Sequence, residues 1–269
     1  MSASKQPVFF LSHGGGPCFW MDMSVPNSPN TYDGLRYYFE GLIESLPERP
    51  KAFVIISGHW EEKFFTVSAN PAPDMLFDYY GFPPHTYELS YPAKGNPEMA
   101  SQISELLANA EIAHKTDAKR GFDHGVFVPM LIVDPGAEIP VVMLSIRDDF
   151  DPQAHIALGE ALAPLREEGV VIIGSGNSYH NMMSFKDGDN EGSKIFDKWL
   201  RGAVTQADFQ ARKAALLQWD QAPMARNAQP REDHLIPLMA VVGAGGTDQA
   251  IVDFQGDMAG KAISGFRIG

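Results

Sequence analysis

Cysteine is nearly absent from these 269 residues, and Cys18 stands alone. A single thiol forms no internal disulfide and rules out a four-cysteine zinc site; it fits a reducing compartment. No run of lysine and arginine occurs either, and 21 basic residues face 34 acidic ones for a net charge of −13. Phosphate binding needs a concentrated basic face, so nucleic acid is not an expected partner. The acidic balance concerns solubility and carries no message about substrate. No apolar run approaches the roughly 20 residues that span a bilayer. MSASKQP followed by the short VFFL lacks the features of a signal peptide. A soluble cytoplasmic protein with no membrane partner is the expectation. Several catalytic signatures are missing as well. Gly14–Gly16 is not followed by the Lys-Ser/Thr of a Walker loop, and Gly174-Ser175-Gly176 lacks the spacing of a nucleophile elbow. No H-E-x-x-H zinc motif occurs.

What is present describes a globular chain. Hydrophobic residues make up 44% and charged residues 20%, which excludes a disordered or fibrous polymer. A chain of this length buries roughly three quarters of its unfolded surface and needs no covalent staples. Short apolar runs rich in β-branched and aromatic residues predict buried strands at Val8–Ser12, Ala52–Ser57, Pro140–Ile146 and Val170–Gly174. Helical patterns lie between them. Tyr32–Leu46 places Leu35, Tyr38, Phe39, Leu42 and Leu46 on one face, and Pro47 ends it. Pro97–Ala110 follows Asn96 as a cap, and Asp151–Glu168 opens on Asp-Pro and stops at Gly169. Ser193–Lys213 and Glu232–Val242 are also expected to be helical.

This alternation predicts an α/β sandwich, with a central, mostly parallel sheet and helices on both faces. AIVDFQG and KAISGFRIG, about a turn at Asp257–Gly260, predict a closing antiparallel hairpin that makes the sheet mixed. No repeat and no Pro-, Gly- or Ser-rich linker divides the chain, so residues 1–269 are expected to form one domain. Ala69–Pro97 is crowded with proline and aromatic residues. That composition predicts an ordered loop over a pocket, with packed structural cover as the equal alternative.

Eight histidines stand beside the one cysteine, so any metal must be held by imidazole and carboxylate. His13 and His59 directly follow predicted strands, and His180 lies six residues beyond VVIIG. Ligand sites of open α/β sheets form at that edge. A histidine at one strand end is more often a satisfied core residue, but three at the same edge favour a site. His124 lies between glycines in GFDHGVFVP, and His234 opens a predicted helix in REDHLIPLM. His114 and His155 read as surface histidines, and His85 has no such context.

LSHGGGP, SGHW, GFPPHTYELSYPAKGNP, GFDHGVFVP, GSGNSYHN and EDHLIPL occur in that order. Together they resemble the class III extradiol ring-cleavage dioxygenases of the DODA type (4,5-DOPA dioxygenase extradiol, LigB-like superfamily), from about residue 8 to the terminal hairpin. The resemblance implies a LigB-like fold and a metal held by His13, His59 and His234. It implies that His180 is an acid/base or a fourth ligand, and that His124 stands near substrate and O2. Asp123 and Asn177 are candidates to orient histidines, with turn formation and capping as the alternative duty. Residues 78–91 form a candidate lid, with aromatic side chains to stack on a substrate ring.

The implied reaction is cleavage of a catechol such as DOPA by O2, beside its two hydroxyls. Fe(II) is the expected working metal. Zn(II) is the ion that the Irving–Williams order favours in isolated protein, and three neutral imidazoles also match the ligand set of catalytic zinc. A zinc hydrolase and a non-catalytic metal-binding protein of the Memo-like kind therefore stay open beside the dioxygenase. The particular catechol and the oligomeric state stay open too.

Overall fold

The apolar runs become the centre of one eight-stranded sheet in the computed structural model, which describes residues 4–24, 31–184 and 190–269. The central strands are β1 (Val8–Ser12), β2 (Ala52–Glu62), β5 (Val141–Arg147) and β6 (Val170–Gly176). They are flanked by β3 (Phe65–Ser68), β4 (His114–Asp117), β7 (Ala250–Met258) and β8 (Lys261–Ile268), in the order β4-β3-β5-β2-β6-β1-β8-β7. The pairs β1–β6, β6–β2 and β2–β5 are parallel, so these four strands end at one edge. Strands β3 and β8 run antiparallel to β5 and β1, which gives the mixed sheet the sequence predicts.

Alternation of side chains divides the core in two. Val8, Phe10, Val54, Ile56, Val142 and Ile172 face one cluster, where they meet α2 (Pro97–Asn109), α4 (Pro152–Leu162), α5 (Glu191–Val204) and α8 (Pro237–Gly245). Phe9, Leu11, Phe53, Ile55, Met143 and Ile173 face the other, against α1 (Asp33–Glu40) and α3 (His124–Val133). Because both faces are covered, the central strands read as continuous apolar runs. The terminal hairpin forms as expected, with Ala259 and Gly260 both at positive φ in its two-residue turn. Among the described residues no helix is long and apolar enough to cross a membrane.

Four expectations need correction. The helix expected over Tyr32–Leu46 ends at Glu40, and only a separate 3-10 turn follows at Ile43–Ser45. The helix expected over Ser193–Lys213 is broken at Thr205–Asp208, where Asp208 accepts from the backbone N–H of Ala211 and starts α6 (Phe209–Leu217) afresh. The helix expected from Glu232 begins only at Pro237, so His234 sits on the turn before it, after the short α7 (Ala225–Ala228). His155 is fully buried on α4 rather than exposed. Its Nδ1 donates to Asp151 O at 2.8 Å, and its Nε2 accepts from the Arg147 backbone N–H at 3.1 Å. Acceptance at Nε2 requires the neutral ring, with its hydrogen on Nδ1.

Burial pushes the His155 imidazole down to about 4 from its usual 6.5. A depressed histidine stabilises the fold fully above pH 6.5 and loses that contribution as the pH falls toward 4. The full loss is worth about 3 kcal/mol. Urea unfolding of wild type and His155→Gln from pH 7 to pH 4 is expected to show a steeper acid decline for wild type. Parallel curves for the two proteins would exclude His155 as the group responsible.

Candidate metal centre

Three parallel strands, the start of α3 and one turn deliver the site. His13 is the first residue past β1, and its backbone N–H donates to Gly176 O at 3.0 Å across the sheet edge. His59 lies within β2, at a register shift between Ser57 and Glu61 against β5. A bulge of this kind bends the strand and re-aims a side chain. His124 is the first residue of α3. The turn carrying His234 is laid directly on the strand ends: a Cβ on Gly58 would sit 2.8 Å from Asp233 O, and one on Gly176 only 2.0 Å from His234 O. Glycine at these two positions is what allows that approach. The Asn177 N–H donates to His234 O at 2.9 Å, and the His180 N–H to Ala228 O at 2.9 Å, tying the β6 end to α7 and the turn.

All five histidines singled out from the sequence meet here. The Nε2 of His59 lies 3.2 Å from the Nε2 of His13 and 3.2 Å from the Nε2 of His234. The His124 ring centroid is 3.9 Å from that of His59, and His180 stacks on His234 at 3.4 Å with 18° between planes. His85 is exposed, its ring directed to Trp20 O, and His114 lies on the edge strand β4.

Burial, followed by the neighbouring imidazoles, holds His13 and His59 well below the usual histidine range. Burial and His234 do the same for His180, against the opposing pull of Asp233. His13 and His59 are therefore neutral at pH 7. Three Nε2 atoms of imidazoles converge here, that of His234 left as an acceptor by its Nδ1 bond to Asp233, and such a three-imidazole set suits a divalent borderline metal. The residues present fit a metal.

Two carboxylates missed in the sequence complete the centre. Asp233 Oδ2 accepts from His234 Nδ1 at 2.8 Å. Asp78 Oδ1 accepts from His124 Nδ1 at 2.7 Å, while its Oδ2 lies 3.3 Å from His59 Nδ1. Burial raises both carboxyls, but the hydrogen bonds from His124 and His234 outweigh it and hold them below the usual range. Such partners fix the tautomer of a metal-binding imidazole. Asp233 could have been found from its position beside His234; Asp78, 46 residues from His124, gives no local signal.

The expected orienting residues divide. Asn177 Nδ2 lies 3.5 Å from His13 Nε2 and donates to Gly14 O at 3.3 Å. Asp123 makes no hydrogen bond to an imidazole among the described residues: it accepts from Ser57 Oγ at 2.8 Å and pairs with Arg120 at 3.2 Å. The aromatic loop is ordered, but its rings pack mainly on one another. Tyr79 meets Phe77, Phe82 and Tyr87, donates its hydroxyl to Thr86 O at 2.6 Å, and turns an edge to His124 at 5.7 Å. Cys18 is buried near Gly14, and burial pushes its thiol up to about 12, so it is inert filler rather than a reactive group.

Comparison with known proteins gives one consistent result. The sequence profile of the catalytic LigB subunit of aromatic ring-opening dioxygenase matches residues 7–262. The chain is 37% identical to the 4,5-DOPA dioxygenase extradiol of Beta vulgaris over 244 residues, which are 89% of this chain and 87% of that protein. It is 35% identical to the dioxygenase tasH of Hapsidospora irregularis over 260 residues, 91% of this chain and 80% of that one. A crystal structure of an uncharacterized protein from Escherichia coli K12 superposes with a TM-score of 0.78 at 28% identity, covering 98% of this chain and 100% of the other.

Proposed function

Since the chain belongs to the LigB family of aromatic ring-opening dioxygenases and is an extradiol ring-cleaving enzyme, we propose that it cleaves a catechol with O2 at an Fe(II) centre. His13, His59 and His234 are assigned as the ligands. The observation that carries this assignment is the approach of the His13 and His234 Nε2 atoms to that of His59 at 3.2 Å. Fe(II) bound there supplies Lewis acidity toward the catechol oxygens and the redox capacity that O2 chemistry needs.

The protein's own groups handle protons and orientation. His180, half-buried and held neutral, accepts a proton from a catechol hydroxyl, a role suited to an uncharged imidazole. The Asp78 carboxylate accepts from His124, so Nδ1 of His124 carries a hydrogen and Nε2 is left to exchange a proton with the reacting oxygen. The carboxylate stabilises the imidazolium that forms when Nε2 is protonated. Asp233 holds Nδ1–H of His234 and directs that ring's Nε2 inward. A DOPA-like substituted catechol is the substrate class the named relatives favour. A reducing cytoplasm suits the buried, unpaired Cys18.

Isolated protein is expected to carry zinc, which has no redox chemistry and leaves ring cleavage silent. Anaerobic reconstitution with Fe(II), followed by a panel of catechols in oxygenated buffer, tests the proposal. O2 uptake and semialdehyde absorbance are expected to rise together in the iron form only. Silence of the iron form across the panel would remove catechol as the substrate class.

A further inference from the structure

Asp78 lies on the loop between β3 and α2, outside both the ligand set and the acid–base pair assigned above. Its two oxygens are divided between two adjacent histidines. Oδ1 accepts from the ring Nδ1 of His124 at 2.7 Å and from the backbone N–H of the same residue at 3.0 Å. Oδ2 stands 3.3 Å from Nδ1 of His59. One carboxylate therefore reaches the side of each ring that faces away from its Nε2. A carboxylate offers only acceptors, so it favours a hydrogen on each Nδ1.

We propose that Asp78 is a positioning residue that sets the tautomers of two histidines with different duties. With hydrogen on Nδ1, His59 presents a bare Nε2 to the metal. With hydrogen on Nδ1, His124 uses Nε2 alone for proton exchange. The same contact anchors the aromatic loop, so loop placement, ligand tautomer and acid–base tautomer share one determinant. The inference rests on the reading of His59 as a ligand and His124 as an acid–base group.

Asp78→Asn separates the two duties. Its amide keeps one acceptor oxygen, and the two donors of His124 hold that oxygen on the Oδ1 side. The NH2 group then occupies the Oδ2 position, 3.3 Å from His59 Nδ1. A donor there selects the Nε2–H tautomer of His59. That hydrogen sits on the nitrogen 3.2 Å from both His13 Nε2 and His234 Nε2, where the metal must bind. Asp78→Ala instead releases both rings.

The test titrates metal-stripped wild type, Asp78→Asn, Asp78→Ala and His59→Ala with Co(II), following its ligand-field absorption. It then measures kcat and KM separately at saturating Fe(II). Loss of an outer partner of a metal-bound histidine typically weakens metal binding about 10–100-fold, and that is expected in both Asp78 variants. At saturating Fe(II), Asp78→Asn is expected to lose less kcat than Asp78→Ala, because its amide oxygen still holds Nδ1–H of His124 although it no longer carries the charge; KM is expected to change little in either variant.

Wild-type Co(II) affinity and spectrum in both Asp78 variants, with Co(II) binding lost in His59→Ala, overturn the proposal and leave the ligand assignment standing. Undiminished Co(II) binding in His59→Ala overturns the ligand assignment and the proposal with it. A kcat for Asp78→Asn as low as that of Asp78→Ala overturns the division of duties. If Asp78→Ala does not fold, the isosteric Asp78→Asn decides alone on its metal affinity: weakened Co(II) binding supports the proposal, and wild-type Co(II) binding overturns it.

Discussion

His13→Ala is expected to lose its metal and all measurable ring cleavage while retaining the fold. His13 is buried at the middle of the histidine cluster, with ring centroids 4.8 Å from His59, 5.2 Å from His234 and 5.3 Å from His124. Its removal leaves two imidazoles where a closed face of three is needed. Asn177 lies 3.5 Å from the lost nitrogen but directs its amide NH2 there, and a donor cannot ligate a cation. The fold itself does not depend on the ring, because the backbone N–H of His13 still bonds Gly176 O at the sheet edge.

Metal content by elemental analysis and thermal unfolding with and without added metal check this. A ligand that binds only the native state at 100 times its Kd stabilises it by about 2.7 kcal/mol. Wild type is expected to show a metal-dependent rise in Tm and the variant none. A stoichiometric metal content in His13→Ala would remove His13 from the ligand set.

His180→Ala is expected to differ from it in keeping its metal while losing turnover by about 10²–10⁴-fold, the usual worth of a positioned acid–base group. His180 forms a second group of ligand spacing with Asp233 and His234, but the 3.2 Å convergence of Nε2 atoms involves His13, His59 and His234. Its ring lies flat against His234 at 3.4 Å. Losing that stack does not free His234, whose Nδ1 remains bonded to Asp233 at 2.8 Å. The decisive comparison is metal stoichiometry beside kcat in one preparation. Metal-free His180→Ala would make the residue a fourth ligand and transfer the proton-accepting duty elsewhere.

The central strands and the five histidines were legible because each carried a local signal. Val8–Ser12 matched its prediction residue for residue, since a strand buried on both faces must be apolar throughout. The same rule concealed α3. HGVFVPMLIV is buried almost all round, so it shows no helical period, and Pro129 in its interior argues against a helix. His155 was misread because its helix leaves some residues exposed, and pattern alone did not place the histidine on the buried side. Asp78 had no signal, because its partners are assembled by tertiary folding. Asp123, the more conspicuous neighbour of His124, proved to serve Ser57 and Arg120 instead. The extension of β2 through His59 was also hidden, since a bulge follows from pairing with β5 rather than from composition.

The three proposed ligands are widely separated along the chain, His59 lying 46 residues after His13 and His234 another 175 after His59. During synthesis the growing polypeptide therefore offers at most two of the three imidazoles until residue 234 has left the ribosome. The third stands on a turn packed directly against Gly58 of β2 and Gly176 of β6, two paired strands. Incomplete chains and truncated products thus lack a closed centre. A redox-active metal held by all three imidazoles would thus bind only to a chain already folded around it, which would limit reaction with O2 at partly folded intermediates.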